Sequence, residues 1–159
     1  MFRTFAIGGV AALTLTGFAF AATVKSIDVE VELGAVENAK AAAYWTTIAD
    51  DLENAIVSRI TDQIADDGVN VVIDLEEVSL SSGFEEKMGL ADTRLVGNVV
   101  MVHDTDNTRF GAYELTVDVN AAMPMIPAGV DVVTLPADSR VYYDAMIAAF
   151  AQGVVDRLK

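Results

Sequence analysis

Alternating apolar and polar residues mark two strands in the first half of the chain. Residues 26–33, SIDVEVEL, place Ile, Val, Val and Leu on one side and three acidic residues on the other. Because successive side chains of a strand point to opposite faces, this segment predicts a half-buried strand with an acidic solvent face. Residues 69–80, VNVVIDLEEVSL, are rich in β-branched residues and predict a second strand. The parity of its apolar positions changes near Glu76 and Glu77, which predicts a β-bulge there.

Two further strands are predicted in the second half of the chain, over residues 95–104 and 113–120. Between them lies DTDNTRFG, residues 104–111, which is rich in turn formers, so the pair predicts an antiparallel hairpin. The segment 123–136 contains all three prolines of the chain, which exclude a long continuous element. Within this segment, residues 130–134 predict a short edge strand.

Two segments carry apolar residues at every third or fourth position, as an amphipathic helix requires. The first runs from about Val36 to Asp66, and Gly68 beyond it predicts a left-handed C-terminal cap. The second begins near Asp138 or Ser139, either of which can cap it, and runs to the end of the chain. The two apolar stripes are Trp45, Ile48, Leu52, Ile56, Ile60 and Ile64, and then Tyr143, Met146 or Ile147, Phe150, Val154 and Leu158.

The resulting element order, β-α-β-β-β-α, predicts the fold class. Each helix has one apolar stripe and the hairpin strands have one apolar face. These features favour an α+β fold, a two-layer sandwich with two helices packed on one face of a roughly four-stranded sheet. The first strand, the first helix and the second strand form a β-α-β run, which crosses over right-handed if its strands are parallel.

The opening stretch, MFRTFAIGGVAALTLTGFAFAATVK, has the features of an export signal. Arg3 supplies a positive charge, residues 5–20 carry none, and AFA at 19–21 matches the small-x-small site of signal peptidase. Cleavage there removes residues 1–21 as a signal peptide and leaves 22–159 as a single domain. An uncleaved anchor is the alternative, but the apolar run is near the lower length limit for a membrane span and no stop-transfer charges follow it. We therefore expect a bacterial periplasmic protein, or alternatively a secreted one, without a membrane span after cleavage.

The same element order behind an export signal resembles small periplasmic envelope-assembly proteins of the lipopolysaccharide-assembly LptE type and related exported domains. The resemblance covers most of the mature chain and implies a binding role in the cell envelope. It rests on the order of elements and not on a residue motif, so no functional residue is carried over. Proteins of that type are usually lipoproteins, whereas this chain has no cysteine to lipidate.

Charge and composition narrow the classes of partner. With 24 acidic residues against ten Lys and Arg, the formal net charge is −14. Proteins bind nucleic acid through clustered basic residues, so nucleic acid is excluded as a partner, and an anionic membrane surface is disfavoured for the same reason. The absence of cysteine excludes disulfides, cysteine–metal sites and thiol catalysis. The sequence indicates no cofactor and no metal.

The candidate catalytic and metal-binding residues do not form a recognisable constellation. His103 is the single histidine, and we interpret it as a strand-end histidine at a turn, since no G-x-S-x-G elbow accompanies it. The Asp104–Asn107 stretch DTDN starts like a calcium loop, but Arg109 and Leu115 occupy the positions of the required Gly and Glu. Asx-turn formation explains its residues. The acidic pairs at 50–51, 66–67, 76–77 and 85–86 are interpreted as solvated surface charge. Glu77 is singled out because the suspected bulge would turn its side chain to the other face of the strand.

The sequence therefore predicts a non-enzymatic domain that binds a protein or another envelope component. The alternative is a carrier of a small or lipid-like ligand, with its pocket between the helices and the sheet. The predicted contact residues lie in the two irregular segments, 81–92 and 121–129, where apolar side chains either form an exposed patch or close the edge of the sandwich. These residues are Phe84, Met88, Met123, Met125 and Ile126. The aromatic pairs Tyr44-Trp45 and Tyr142-Tyr143 are read as core residues, with a ligand-stacking platform as the alternative.

Overall fold

A four-stranded mixed sheet forms the frame of the molecule. The computed structural model describes residues 22–31, 46–79, 94–131, 135 and 139–159. The strands lie in sequence order across the sheet, β1-β2-β3-β4. Strand β1 pairs parallel with β2, and the other neighbours pair antiparallel, so the predicted hairpin of β3 and β4 is confirmed. The strands are β1 (Val24–Val31), β2 (Val69–Ser79), β3 (Arg94–Val102) and β4 (Gly111–Asp118).

The predicted fold class is confirmed, because the main helices form a second layer on one face of this sheet. Helix α1 (Ile48–Val57) contacts β1, helix α3 (Arg140–Arg157) contacts β3 and β4, and the two helices pack against each other. A one-turn helix, α2 (Val119–Ala122), is added directly after β4. The Asp118 carboxylate accepts a hydrogen bond from the Ala121 N–H at 2.9 Å, and this N-cap ends β4 two residues earlier than predicted.

The predicted bulge in β2 is confirmed. Leu75 pairs with Gly97 and Glu77 pairs with the adjacent Val96, so Glu76 is an extra residue in the ladder. The sequence signal was the change in apolar parity at this point. Glu76 is exposed, and its carboxylate accepts a hydrogen bond from the Asn98 Nδ2 at 2.5 Å.

Helix α1 ends at Val57, well before the predicted end at Asp66. The Ser58 hydroxyl donates to the Ala55 carbonyl at 2.9 Å, and the Arg59 N–H donates to the Ile56 carbonyl in a tighter turn. Such hydroxyls compete for helix carbonyls and are common where a helix ends. The apolar spacing continues through a 3-10 turn at Thr61–Gln63, which explains why the helix was predicted too long. The predicted helix before residue 46 lies outside the described residues.

The prediction that Gly68 is a left-handed cap is wrong. Gly129 is the one described glycine with a positive φ, at 93°. Gly68 instead lies against the start of β1, where a Cβ would stand 2.3 Å from the Val24 carbonyl carbon and 2.4 Å from the Lys25 nitrogen. The position requires glycine because two backbones approach closely.

Helix α3 begins where predicted and is more deeply buried than its single stripe suggested. The Ser139 hydroxyl accepts a hydrogen bond from the Tyr142 N–H at 3.2 Å, which confirms Ser139 as the N-cap. Every residue of the predicted stripe is buried, and five more side chains join it because α1, α2 and the sheet surround the helix. These five are Tyr142, Ala145, Ala149, Ala151 and Val155.

The space between the helices and the sheet is filled by one apolar cluster. Leu52 of α1, Ile73 of β2, Leu95 of β3 and Phe150 of α3 have no solvent exposure at all. Such close packing leaves a large ligand no room among these side chains. The short edge strand expected over 130–134 is not present at Val130 and Asp131, and the rest of that segment lies outside the described residues.

Candidate functional site

The face of the sheet that points away from the helices carries an apolar patch. The register places Val72 beside Val100 and Val100 beside Ala112. Because Met101 pairs with Gly111, one step further along the antiparallel ladder brings Val102 opposite Phe110 on this same face. Val102 is 42% exposed and Phe110 is 64% exposed. We call the five residues Val72, Val100, Val102, Phe110 and Ala112 the open-face patch.

Carboxylates border the open-face patch. The row next to it along the strands runs Glu30, Asp74, Asn98 and Glu114 across all four strands. Asp28 lies beside Val72 at the β1 edge. The surface is therefore apolar at one end and acidic at the other, within a chain whose net charge is −14.

A network of polar contacts fixes the loop that carries Phe110. The Lys25 ammonium and the Asn70 amide both donate to the Asp104 carboxylate, the latter at 2.7 Å. The hydrogen bond from Lys25, followed by that from Asn70, lowers the pKa of Asp104. Arg109 donates to the Asp67 carbonyl and to the Thr23 hydroxyl, each at 3.1 Å. We call this network the hairpin clasp; its residues are Thr23, Lys25, Asp67, Asn70, His103, Asp104 and Arg109.

His103 is a structural member of the hairpin clasp. Its Nδ1 accepts hydrogen bonds from the backbone N–H groups of Asp106 at 3.1 Å and Thr105 at 3.3 Å. With Nδ1 used as an acceptor, Nε2 is the ring nitrogen that donates to the Asp67 carboxylate, at 2.9 Å. The side chain is only 6% exposed. Its Nδ1 holds the turn, and its Nε2 ties the turn to Asp67. The interpretation as a strand-end histidine at a turn is confirmed.

We expect His103→Phe to destabilise the protein by about 1–2 kcal/mol, because the part-buried hydrogen bonds from the Thr105 and Asp106 N–H groups lose their acceptor. His103→Asn restores an acceptor near the position of Nδ1 and should recover part of that loss. Asp67→Ala removes only an exposed partner and should cost less than about 1 kcal/mol. Urea unfolding of the three variants measures these differences. A His103→Phe variant as stable as the parent would contradict the role of these hydrogen bonds.

The Asp104–Asn107 stretch forms a turn, as predicted. The Asp106 carboxylate accepts hydrogen bonds from the Thr108 N–H at 2.9 Å and the Thr108 hydroxyl at 2.6 Å, which is an Asx turn. These bonds lower the pKa of Asp106. Across the described residues, no three acidic, histidine or cysteine side chains are grouped closely enough to hold a metal ion.

The acidic pairs have different surroundings. Asp51 accepts a hydrogen bond from the Tyr143 hydroxyl at 2.5 Å, and Asp67 contacts His103. The Glu77 side chain and the pair at 85–86 lie outside the described residues. Asp51 and Tyr143 border a cleft of about 170 Å³ between α1 and α3. Arg140, which also lines it, stacks on the Tyr143 ring at 4.8 Å.

We expect the contact between Tyr143 and Asp51 to make stability depend on alkaline pH. Burial, and then the bond to the Asp51 carboxylate, hold the pKa of Tyr143 well above the ordinary value of 10.0. The folded state therefore retains a proton that the unfolded state releases, so this contribution is complete below pH 10 and is lost as the pH rises above it. Tyr143→Phe should cost about 0.5–1.5 kcal/mol at pH 7. The free energy of unfolding of the Tyr143→Phe variant should also fall less steeply above pH 10 than that of the parent protein. Equal pH dependences of the two proteins in unfolding experiments would contradict this.

The predicted contact residues are partly described. Met123 is 46% exposed in a 3-10 turn against α3, whereas Met125 and Ile126 are half-buried against the core. Phe84 and Met88 lie outside the described residues, so this contact set stays a prediction. Tyr142 and Tyr143 are both buried, which agrees with their interpretation as core residues; Tyr44 and Trp45 are not described.

Sequence reasoning missed the open-face patch. The signal was present in VVI at 71–73 and VVMV at 99–102, where apolar residues occupy both parities of a strand. A strand with one solvated face normally alternates with polar residues, so apolar residues on the second face mark a contact surface.

Comparison with known proteins assigns no family. No protein-family model matches the chain, and no curated protein matches its sequence. Among the helices described here, none combines the length and the apolar character needed to cross a bilayer.

Proposed function

We propose that this protein is an exported, non-enzymatic domain that binds a protein of the cell envelope through the open-face patch. The observation that carries the proposal is two large, exposed apolar side chains at the same end of the open face, Val102 at the end of β3 and Phe110 directly before β4. Exposed apolar groups of this kind, bordered by polar residues, mark interaction sites. Phenylalanine is also enriched at the buried centre of protein interfaces.

The way in which Phe110 is held supports this proposal. The hairpin clasp fixes the loop on the N-terminal side of Phe110, through Asp104 and through Arg109, which directly precedes it. A side chain that is already ordered loses little conformational freedom when a partner covers it, and this favours binding. A loop whose only function was to connect β3 and β4 would need no exposed aromatic residue.

The periplasmic location is part of the same proposal and depends on cleavage after Ala21. The backbone nitrogen of Ala22 donates to the Leu158 carbonyl at 2.6 Å, just beyond the C-terminal end of α3. Cleavage would turn this nitrogen into an ammonium group, and a positive charge is favourable at the C-terminal end of a helix. The intact mass of protein purified from the periplasm tests this: it should correspond to residues 22–159. A mass that still includes residues 5–20 would contradict export by cleavage.

Site-specific crosslinking tests the binding proposal, and the absence of native cysteine makes any introduced one unique. Ala112→Cys places a benzophenone label in the open-face patch, and Ser58→Cys places it on the helical layer; both positions are exposed. In periplasmic extract, the label at 112 should give one adduct that the label at 58 does not. The adduct should disappear when Val102→Ser and Phe110→Ser are added. Equal adducts from both positions, or an adduct that survives these two substitutions, would refute the proposal.

The envelope setting follows from the predicted leader and from the resemblance in element order to envelope-assembly proteins of the LptE type. The alternative, a carrier of a small or lipid-like ligand, stays a prediction. It requires space between the helices and the sheet, where Leu52, Ile73 and Phe150 are fully buried in one packed cluster.

A further inference from the structure

We infer that the outer edge of β4 receives an extended, basic segment of the partner protein as a fifth strand. The inference rests on the proposed function, since a strand added there would lie directly beside Phe110 and Ala112 of the open-face patch. It adds the binding mode, which is backbone pairing at a sheet edge, and the chemistry of the partner.

Among the described residues, strand β4 is paired on its inner edge only. All of its residues from Gly111 to Asp118 pair with β3 on the inner side. It is the last strand of the sheet, and in the part of the chain that is described no segment pairs with its outer side. An edge strand directs alternate N–H and C=O groups outward, where they can pair with another chain.

The opposite edge of the sheet, which β1 forms, is protected. The Glu53 carboxylate of α1 accepts a hydrogen bond from the Val29 N–H of β1 at 3.0 Å, although Val29 belongs to the sheet. Strand β1 also carries Lys25, and lysine on an edge strand opposes pairing. Strand β4, GAYELTVD, contains neither proline nor a basic residue, and its ladder with β3 has no bulge. Among the described elements, one edge of the sheet is thus blocked and the other is suited to pairing.

The charges on β4 define the partner. Glu114 lies exposed on the open side of this strand beside Asn98, whereas Asp118 on the same side pairs with Arg94 of β3 and caps α2. Glu114 is therefore the negative charge that an added strand would meet. Opposite charges on neighbouring strands attract, so alternate basic residues in the added strand would be stabilised. On the helical side, Arg157 stacks on the Tyr113 ring at 4.5 Å and would repel a basic residue there. The favoured partner segment therefore alternates basic residues with apolar ones.

A second copy of this chain is the less favourable occupant. An antiparallel pair of β4 strands centred on Thr116 would place Glu114 opposite Asp118 of the second copy, and like charges on neighbouring strands are destabilising. The net charge of −14 on each copy adds to this repulsion.

Titration of the ¹⁵N-labelled mature domain with synthetic peptides tests the inference. The probe is a seven-residue peptide of alternating lysine and valine; one control replaces lysine by glutamate, and a second N-methylates alternate backbone nitrogens. We expect the lysine peptide to shift the amide signals of residues 112–118, with an affinity that falls as salt is added. Both controls should fail to do so, and Glu114→Lys should weaken binding roughly two- to fivefold.

Equal binding of the N-methylated peptide, or an unchanged affinity of Glu114→Lys, would overturn the inference. So would β4 shifts that appear on raising the protein concentration alone, since these would assign the edge to a second copy. If the label at residue 112 gave no crosslink in periplasmic extract, the proposed function would be refuted instead. A retained crosslink with silent β4 amides would refute only the added strand.

Discussion

Gly68→Ala should destabilise the protein by more than about 3 kcal/mol, because the added methyl group collides with backbone and not with a movable side chain. Its Cβ would lie 2.3 Å from the Val24 carbonyl carbon and 2.4 Å from the Lys25 nitrogen. Relief requires β1 to move away from the start of β2, and this breaks the parallel pairing of Val24 with Val69. Urea unfolding followed by circular dichroism measures the loss.

Gly111→Ala is the matched control for this prediction. The same methyl group at Gly111 would lie 2.5 Å from the Met101 Cε, the end of a flexible side chain that can rotate away. We therefore expect a loss below about 1 kcal/mol, since a substitution on an edge strand that meets only a mobile group is usually tolerated. Equal losses at the two positions would show that the close approach of β1 and Gly68 does not govern the effect.

Phe150→Ala should cost about 3–5 kcal/mol, the range for removing a buried aromatic side chain. The ring has no solvent exposure, and its Cζ lies only 3.1 Å from where a Cβ on Gly97 would stand, so it reaches the backbone of β3. Removing it leaves a cavity between the two layers that the rigid sheet cannot close. Thermal unfolding should show a large decrease in Tm, with Phe150→Leu intermediate.

Val57→Ala provides the comparison for the core, since Val57 lies on α1 but is 41% exposed. It should change the free energy of unfolding by less than about 0.5 kcal/mol, because no cavity forms at the surface. If Phe150→Ala were as mild as Val57→Ala, the two layers would not be held together by the cluster described above.

The parts of the fold that were predictable have local causes. The N-cap of α3 and the bulge in β2 depend on a few neighbouring residues, and Ser139 and Glu76–Glu77 behave as their sequence context predicts. The early end of α1 was not predictable from apolar spacing, because the spacing continues through Ile60, which is buried by a 3-10 turn instead of a helix. Gly68 was misread because close contact with β1, distant in sequence, decides its role.

The candidate site was harder to predict than the fold for a related reason. The sequence predicts exposed apolar residues in the irregular segments, yet the most exposed large apolar side chain among the described residues is Phe110, in a turn. Its neighbour Val102 belongs to a strand that reads as core. Only the strand register brings the two together on the face opposite the helices, and register is not visible in one sequence.

Carboxylate footprinting of the complex tests the central claim most directly, because the open sheet face and the helical layer both carry exposed acidic residues. Carbodiimide labelling with an amine is compared in the free protein and in the complex with the crosslinked partner. We predict that Glu30 and Glu114 on the open face lose labelling when the partner is bound, while Asp50 and Asp62 on the helical side keep theirs. Protection of Asp50 and Asp62 with unchanged labelling of Glu30 and Glu114 would contradict the claim that the open face binds the partner.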